Sequence, residues 1–193
     1  MALPGLYDCF QHWGEKHAVW VISDTHFGDK DIQKAFPNRP SDEELIKNIN
    51  QKVGKTGTLL LLGDVGDIEC ARQLKGYKVL IAGNHESGLE KYKKVFDETY
   101  SGALIIGEKL LLSHEPIDAT WIFNLHGHTH DRRAKNDKYH LNVCADVIGY
   151  TPINFNQFLK SGALSKIQTL KRTVIDKATE RKKKRGGRKI GEK

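Results

Sequence analysis

Five short apolar runs in this chain each end in residues that could bind a metal ion. Together they deliver two carboxylates, four imidazoles and one amide, from Asp24, His26, Asp64, Asn84, His114, His128 and His130. Nitrogen and oxygen donors without a thiolate suit Mn, Fe, Zn, Co or Ni. Seven donors are too many for one ordinary zinc site, but they suit two ions bridged by one carboxylate. Two such ions, roughly 3.5–4 Å apart, can hold the attacking and leaving oxygens of a phosphate displacement.

Buried parallel strands would bring these side chains together. An apolar run bounded by turn residues, such as Lys78–Ala82 before Gly83, is typical of a strand buried on both faces. Open α/β sheets bind their ligands outside the carboxyl ends of the strands. We therefore expect the seven side chains to meet at one edge of a sheet.

The order of the predicted elements indicates an α/β fold. The first half predicts β-α-β-α-β, with strands near 18–23, 58–62 and 77–82 and helices near 41–53 and 68–74. Further along, the sequence predicts short helices near 88–95 and 154–160, a hairpin over 103–113, and strands near 121–125 and 139–144. A polar loop is expected over 27–40, and apolar residues at helical spacing from Leu164 to Ala178 predict a C-terminal helix. This layout corresponds to a single-domain, two-sheet αββα sandwich.

The positive charge of the chain is confined to its C-terminal end. The 193 residues have a formal charge of +7, and Lys177–Lys193 contains nine Lys or Arg and two Glu, so that the other 22 basic and 22 acidic residues cancel. We therefore expect a domain over residues 1–176 and a basic, disordered tail over 177–193. Such a charged run is most often a solvated, non-specific feature, and weak binding of nucleic acid is the alternative. The odd number of cysteines, with no signal peptide and no apolar run of about 18 residues, predicts a cytoplasmic protein without a membrane partner.

The polar blocks, taken in order, resemble one protein family. All the sequence blocks of the calcineurin-like metallophosphoesterase superfamily occur between about residues 19 and 150: Asp24-x-His26, Gly63-Asp64, Gly83-Asn84-His85-Glu86, His114 and Gly127-His128-x-His130. Each block alone is a weak signal, but five in order, each after an apolar run, are specific. The small, uncapped domain looks more like the bacterial and phage phosphodiesterases of the superfamily than like its protein phosphatases.

The resemblance implies a role for the residues of each block. It assigns the first metal ion to Asp24, His26 and His130, the second to Asn84, His114 and His128, and the bridge to Asp64. Manganese is the expected metal, with Fe, Zn, Ni and Co as alternatives. A hydroxide shared by the two metals would attack phosphorus, His85 would stabilise or protonate the leaving oxygen, and Asp67 would orient His85.

One departure from the family pattern bears on the substrate. Protein phosphatases of the superfamily carry Arg residues where this chain has Ile68 and Ser87-Gly88, and those guanidinium groups bind a phosphomonoester. The nearest candidates here are Arg132 and Arg133. We therefore expect a metal-dependent phosphodiesterase that acts on a phosphoester such as a nucleotide or cyclic nucleotide. The alternatives are a phosphomonoesterase, a nuclease or RNA-processing enzyme tethered by its basic tail, and a binding module without catalysis, which the complete set of ligands disfavours.

Several other polar or aromatic residues have structural explanations. We expect Glu86 to support a ligand or to cap a loop, and His126 to be structural or to support a ligand. Surface or packing roles are expected for His12, His17 and His140, and packing is favoured over base stacking for Phe27, Phe36 and Trp121. For Asn142 and Asp146, support of the metal ligands and a purely structural role are equally open.

Overall fold

Two β-sheets form the frame of the protein. The computed structural model describes residues 2–130 and 136–170. The first sheet has the order β4-β3-β2-β1-β9, with β1 at Val19–Ile22, β2 at Thr58–Leu61, β3 at Tyr77–Ile81, β4 at Glu98–Tyr100 and β9 at Ile153–Asn154. Strands β1 to β4 are parallel, and β9 is antiparallel to β1.

The second sheet has four strands in the order β5-β6-β7-β8. They are β5 at Leu104–Ile106, β6 at Leu110–Leu112, β7 at Phe123–His126 and β8 at His140–Asn142. The β5–β6 pair is antiparallel and the other two pairs are parallel. Short parallel contacts, including a bridge between Ser23 and Cys144, continue from the strands into the loops that carry the polar blocks.

Each of the four α-helices begins after a residue whose side chain caps it. The α-helices are α1 at Lys30–Ala35, α2 at Asp42–Val53, α3 at Ile68–Arg72 and α4 at Phe155–Lys160, and 3₁₀ helices cover Asp8–Gly14, Leu89–Lys94 and Ala163–Lys166. The N-caps are Asp29, Ser41, Asp67 and Asn154, whose side-chain oxygens accept backbone N–H groups of the first turn. None of the helices in the described ranges has both the length and the apolar character needed to cross a membrane.

The core has two layers because alternate residues of the central strands face opposite sides. Leu60 of β2 belongs to a buried cluster that also contains Leu112 of β6 and Leu125 of β7, so this cluster joins the two sheets. Leu59 and Leu61 belong to a second cluster, which includes the buried face of α2. The predicted α/β fold with two sheets in one domain is therefore confirmed.

Most predicted elements are present, with four differences. Helix α1 lies inside the predicted polar loop over 27–40, and strands β4 and β9 were not predicted. The helix predicted near 88–95 is a 3₁₀ helix. The predicted C-terminal helix is wrong in its first part, because the 3₁₀ helix ends at Lys166 and residues 167–170 have no regular structure. Residues 171–193, which include the predicted domain boundary and basic tail, lie outside the described residues, and both stay predictions.

Candidate metal centre

The polar blocks meet in one cleft at the carboxyl ends of the parallel strands. The loops after β1, β2 and β3 of the first sheet and after β6 and β7 of the second contribute the seven residues. A cleft of about 450 Å³ is lined by His26, Asp29, Asp31, Ile32, Asp64, Asn84, His85, His128 and His130. A larger groove of about 570 Å³ lies between the N-terminal segment and the β5–β6 hairpin, and it contains none of the predicted site residues.

The donor atoms form two groups. In the first group, Asp24 Oδ1 lies 3.4 Å from His130 Nε2 and 3.8 Å from His26 Nε2. In the second group, Asn84 Oδ1 lies 2.8 Å from His114 Nε2 and 3.1 Å from His128 Nδ1.

Asp64 lies between the two groups. Its Oδ2 atom is 3.6 Å from His26 Nε2 and 3.3 Å from His114 Nε2. All seven predicted ligands are thus brought together, with Asp64 in contact with both groups.

The first group fits a cation because of its unpaired buried atoms. Within residues 2–130 and 136–170, Asp24 Oδ1 and His26 Nε2 are buried and have no hydrogen-bond partner. An unpaired buried polar atom is costly, and both atoms are common metal ligands. A metal ion between them would satisfy both, so the residues present fit a bound metal cation.

The charges of the site act on one another. Burial opposes ionisation of Asp24, but the nearby imidazole of His26, the hydroxyl of Ser23 and the charge of His114 outweigh it and lower the pKa of Asp24 to about 2. Burial likewise opposes protonation of His114, but contact with Asp64 and the charge of Asp24 raise its pKa to about 9. In the metal-free protein His114 therefore keeps a proton that a bound metal ion would replace.

The backbone turns sharply where it carries the ligands. Five of the seven predicted ligands have a left-handed conformation, with φ of 57° at Asp24, 39° at His26, 50° at Asp64, 69° at His128 and 39° at His130. Non-glycine residues rarely adopt positive φ, although Asp and His do so more readily than most. The turns let consecutive donors face the same cleft.

Two glycines allow the close approach of neighbouring loops. A Cβ atom on Gly63, whose φ is 87°, would lie 2.5 Å from His114 Nδ1. A Cβ on Gly127 would lie 2.0 Å from Ser23 Oγ and 2.1 Å from Asp24 Oδ2. Any side chain at either position would push apart loops that carry site residues.

Glu86 caps two loops, which is one of the two roles that the sequence left open. Its buried carboxylate accepts hydrogen bonds from the backbone N–H groups of Gly83 at 2.6 Å, Asp64 at 2.8 Å and Val65 at 2.9 Å. It therefore joins the loop after β2 to the loop after β3, and it holds the backbone of Asp64 beside that of Asn84.

The expected partner of His85 is placed differently. His85 lines the cleft with 59% of its side chain exposed, and its Nε2 lies 3.9 Å from Asp64 Oδ2. Asp67 instead caps α3, where its Oδ1 accepts the N–H groups of Glu69 and Cys70. Among the residues that the structure describes, no hydrogen bond or ion pair joins Asp67 to His85.

Three residues near the first group were not predicted to contribute to the site. Asp29, the N-cap of α1, has its Oδ2 3.5 Å from His26 Nδ1. The buried thiol of Cys144 donates to Asp24 Oδ2 at 3.1 Å, although the cysteine spacing gave no sign of a site. Burial and the negative charge of Asp24 raise the pKa of this thiol. Arg39 is buried against Asp146. The contacts of Cys144 and Arg39 join segments more than 100 positions apart, so no local pattern could indicate them, whereas Asp29 lies only three residues after His26 and could have been considered from the sequence.

Among the remaining candidates, Asp146 contacts a predicted ligand, whereas Asn142, His126 and His140 have structural contacts. Asp146 binds Nδ1 of His130, and the Asn142 side chain bonds to Thr129 Oγ1 at 2.6 Å and to the backbone N–H of Cys144 at 2.9 Å. His126 is fully buried, and His140 is also buried, with Nδ1 2.8 Å from Asp137. Arg132 and Arg133 lie outside the described residues.

A comparison with protein families identifies the fold and its chemistry. The family model described as calcineurin-like phosphoesterase matches residues 17–174. The chain belongs to this family. It is therefore a metal-dependent phosphoester hydrolase, and the cleft with its clustered ligands is where this chemistry is expected.

Solved structures give further comparisons for this phosphoesterase. A protein of unknown function from Aquifex aeolicus is 27% identical over 74% of this chain and 98% of its own, with a TM-score of 0.63. The nuclease MPE from Pseudomonas putida is 22% identical over 58% of this chain and 61% of its own, with a TM-score of 0.42. The phosphoesterase YfcE from E. coli is 16% identical over 70% of this chain and 80% of its own, with a TM-score of 0.39. No curated protein matches the chain at a significant level.

Proposed function

We propose that this phosphoesterase is a phosphodiesterase with a dinuclear metal centre. The first ion is assigned to Asp24, His26 and His130, the second to Asn84, His114 and His128, and the bridge to Asp64. The position of Asp64 Oδ2, 3.6 Å from His26 Nε2 and 3.3 Å from His114 Nε2, supports a carboxylate shared by two ions. The mixed nitrogen and oxygen donors suit manganese, which is the metal we expect.

His85 is the proposed proton donor. Metal ions bound in the cleft would supply positive charge for the phosphate and a water of lowered pKa. His85 binds neither proposed ion; its largely exposed ring lies in the cleft beside His26, with ring centroids 5.3 Å apart. From there it can hold a proton for the leaving oxygen. Without a contact to Asp67, its nearest carboxylate is that of Asp64, at 3.9 Å.

The charge of the cleft carries the proposal of a diester substrate. Beyond the proposed ligands, the described lining includes the carboxylates of Asp29 and Asp31 and no Lys or Arg. A phosphomonoester carries nearly two negative charges near neutral pH and a diester carries one. Because like charges repel, carboxylates at the rim disfavour the monoester more strongly.

A comparison of model substrates tests the substrate class. We expect a higher kcat/KM for bis-p-nitrophenyl phosphate or a 2′,3′-cyclic nucleotide than for p-nitrophenyl phosphate with Mn²⁺ at neutral pH. Asp31→Asn should reduce this preference at low ionic strength. Glu90→Gln is the matched control, because both carboxylates pair with a lysine three residues later but Glu90 is outside the cleft lining. A preference for the monoester with Mn, Ni and Zn alike would contradict the proposal and would indicate Arg132 or Arg133 as a phosphate clamp.

The metal assignment is tested by counting ions. The wild-type chain should bind two ions, and Asp64→Asn should weaken both because the bridge is shared. Elemental analysis after dialysis against limiting Mn²⁺ measures the stoichiometry. Two ions bound as tightly in Asp64→Asn as in the wild type would refute the bridge.

A further inference from the structure

Arg39 is a buried cation beside the first group of ligands. Its side chain, in the segment between α1 and α2, is only 2% exposed. Nη1 donates to Asp146 Oδ1 at 3.0 Å, Nη2 donates to the carbonyl oxygen of Thr25, and the guanidinium lies 5.6 Å from the ring centre of Tyr150. Burying a charge is costly unless it is paired, and these contacts compensate for that cost. At 2% exposure, Arg39 does not reach a substrate in the cleft.

Both hydrogen bonds of the Arg39 guanidinium lead to proposed ligands of the first ion. Asp146 uses its other oxygen to accept from His130 Nδ1, which leaves His130 Nε2 facing Asp24 Oδ1 at 3.4 Å. Thr25 is the residue between Asp24 and His26. The hydrogen bond from Arg39 Nη2 to the carbonyl oxygen of Thr25 therefore fixes the turn that carries both ligands.

The second group of ligands is held differently. His114 Nδ1 contacts the carbonyl oxygen of Leu62 at 2.8 Å, and within the described ranges Arg39 makes no contact with Asn84, His114 or His128. The two groups share a hydrogen bond from the backbone N–H of His128 to Asp24 Oδ2 at 2.9 Å, but their imidazole rings are oriented by different residues.

We infer that Arg39 is a positioning residue for the first metal ion, acting through Asp146 on His130 and through Thr25 on Asp24 and His26. This inference rests on the proposed ligand assignment. Removal of a group that orients a metal ligand typically lowers metal affinity by about 10–100-fold. The loss of Arg39 should therefore weaken one ion by this factor and leave the other nearly unchanged.

A metal titration of the full-length chain tests this. Protein stripped of metal with a chelator is titrated with Mn²⁺, and free Mn²⁺ is measured by electron paramagnetic resonance. Arg39→Gln should raise one of two dissociation constants by about 10–100-fold. Arg39→Lys, which keeps the charge but not the two-pronged donor, should fall between that variant and the wild type. Arg72→Gln, which removes an exposed arginine that pairs with Glu69, is the matched control and should have no effect.

A second variant shows which ion is affected. Asn84→Ala should weaken the other ion, so the double variant Arg39→Gln/Asn84→Ala should bind neither at concentrations that saturate the wild type. Thermal denaturation of the metal-free proteins separates this effect from lost stability. If Arg39→Gln does not fold, Arg39→Lys and Asp146→Asn are titrated instead, and each should weaken the binding of one ion and not of the other.

The possible failures are distinct. Wild-type affinity for both ions in Arg39→Gln, even with a lowered melting temperature, would give Arg39 a purely structural role and overturn the inference. Equal weakening of both ions would also overturn it. A wild-type chain that binds no Mn²⁺, Zn²⁺ or Ni²⁺ would instead refute the proposed function on which the inference rests.

Discussion

Individual residues at the cleft adopt conformations that the surrounding loops must hold. A left-handed backbone costs an ordinary residue about 1–2 kcal/mol, and several ligand positions have it. The backbone N–H of Asp24 donates to Gly63 at 3.0 Å, and that of His26 donates to Asp64 at 2.9 Å. Each turn is thus tied to the loop that carries another ligand, so the donor atoms are positioned before a metal ion binds.

His85 is the residue whose chemical role can be separated from metal binding. His85→Ala should leave both ions bound and lower kcat by about 10²–10⁴-fold, the usual loss for a general acid. The loss should shrink as the leaving group becomes a weaker base, since such groups need less protonation. The measurement is kcat for a series of aryl phosphodiesters whose leaving groups differ in basicity. Elemental analysis of each protein sample checks that both ions are still bound. A loss of equal size along the series would exclude proton donation and leave only electrostatic stabilisation.

At the scale of elements, the outcome of sequence-based prediction follows from how local each signal is. Strand β2 and helix α2 were predictable because a continuous apolar run and a capped apolar face specify burial directly. Helix α1 has no buried residue, and β9 has only two residues, so neither produces a recognisable pattern. The ligands follow strong strands and could be identified, whereas Arg39 depends on Asp146, which is 107 positions away.

One carboxylate attaches the N-terminal segment to the edge of the first sheet. Glu98 of β4 contacts His12 at 2.5 Å and accepts from Trp13 at 3.0 Å and Tyr77 at 2.8 Å, and the Tyr100 hydroxyl donates to its other oxygen. Burial raises the pKa of Glu98, but these hydrogen bonds outweigh burial and lower it below 4.5. A carboxylate with a lowered pKa stabilises the folded state above its unfolded pKa, and this stability is lost as the pH falls through the folded value.

The resulting prediction concerns acid stability. Glu98→Gln should lower the free energy of unfolding by about 1.5–3 kcal/mol at pH 7, the range for hydrogen bonds to a charged group. The difference between variant and wild type should decrease as the pH falls from 4.5, where the carboxylate of the unfolded wild type becomes protonated, to the lowered pKa of the folded state, below which the carboxylate is protonated in both states. Urea denaturation at a series of pH values measures the free energy of unfolding of variant and wild type. Glu69→Gln, at an exposed carboxylate, is the control. A difference that is independent of pH would assign the effect to packing.

For the whole molecule, the formal charge and the chemistry lie in different parts of the sequence. The excess charge of +7 comes from Lys177–Lys193, and the proposed ligands lie between Asp24 and His130. The described cleft, by contrast, is lined by carboxylates and histidines. Any strong attraction of a polyanion should therefore come from the C-terminal residues, while hydrolysis of a small diester should not need them.

Neutralising the run Arg181–Arg185 tests this separation without shortening the chain. Changing its five basic residues to Gln should leave kcat for bis-p-nitrophenyl phosphate and the metal content unchanged. If the wild type binds single-stranded RNA, the variant should bind it more weakly. The slope of log K against log salt should also become less steep by up to about 0.7 for each lost phosphate contact, because fewer counterions are released. Fluorescence anisotropy between low and physiological salt measures both quantities. Unchanged RNA affinity would place binding outside Arg181–Arg185, and reduced turnover of the small substrate would show that these residues support the catalytic site.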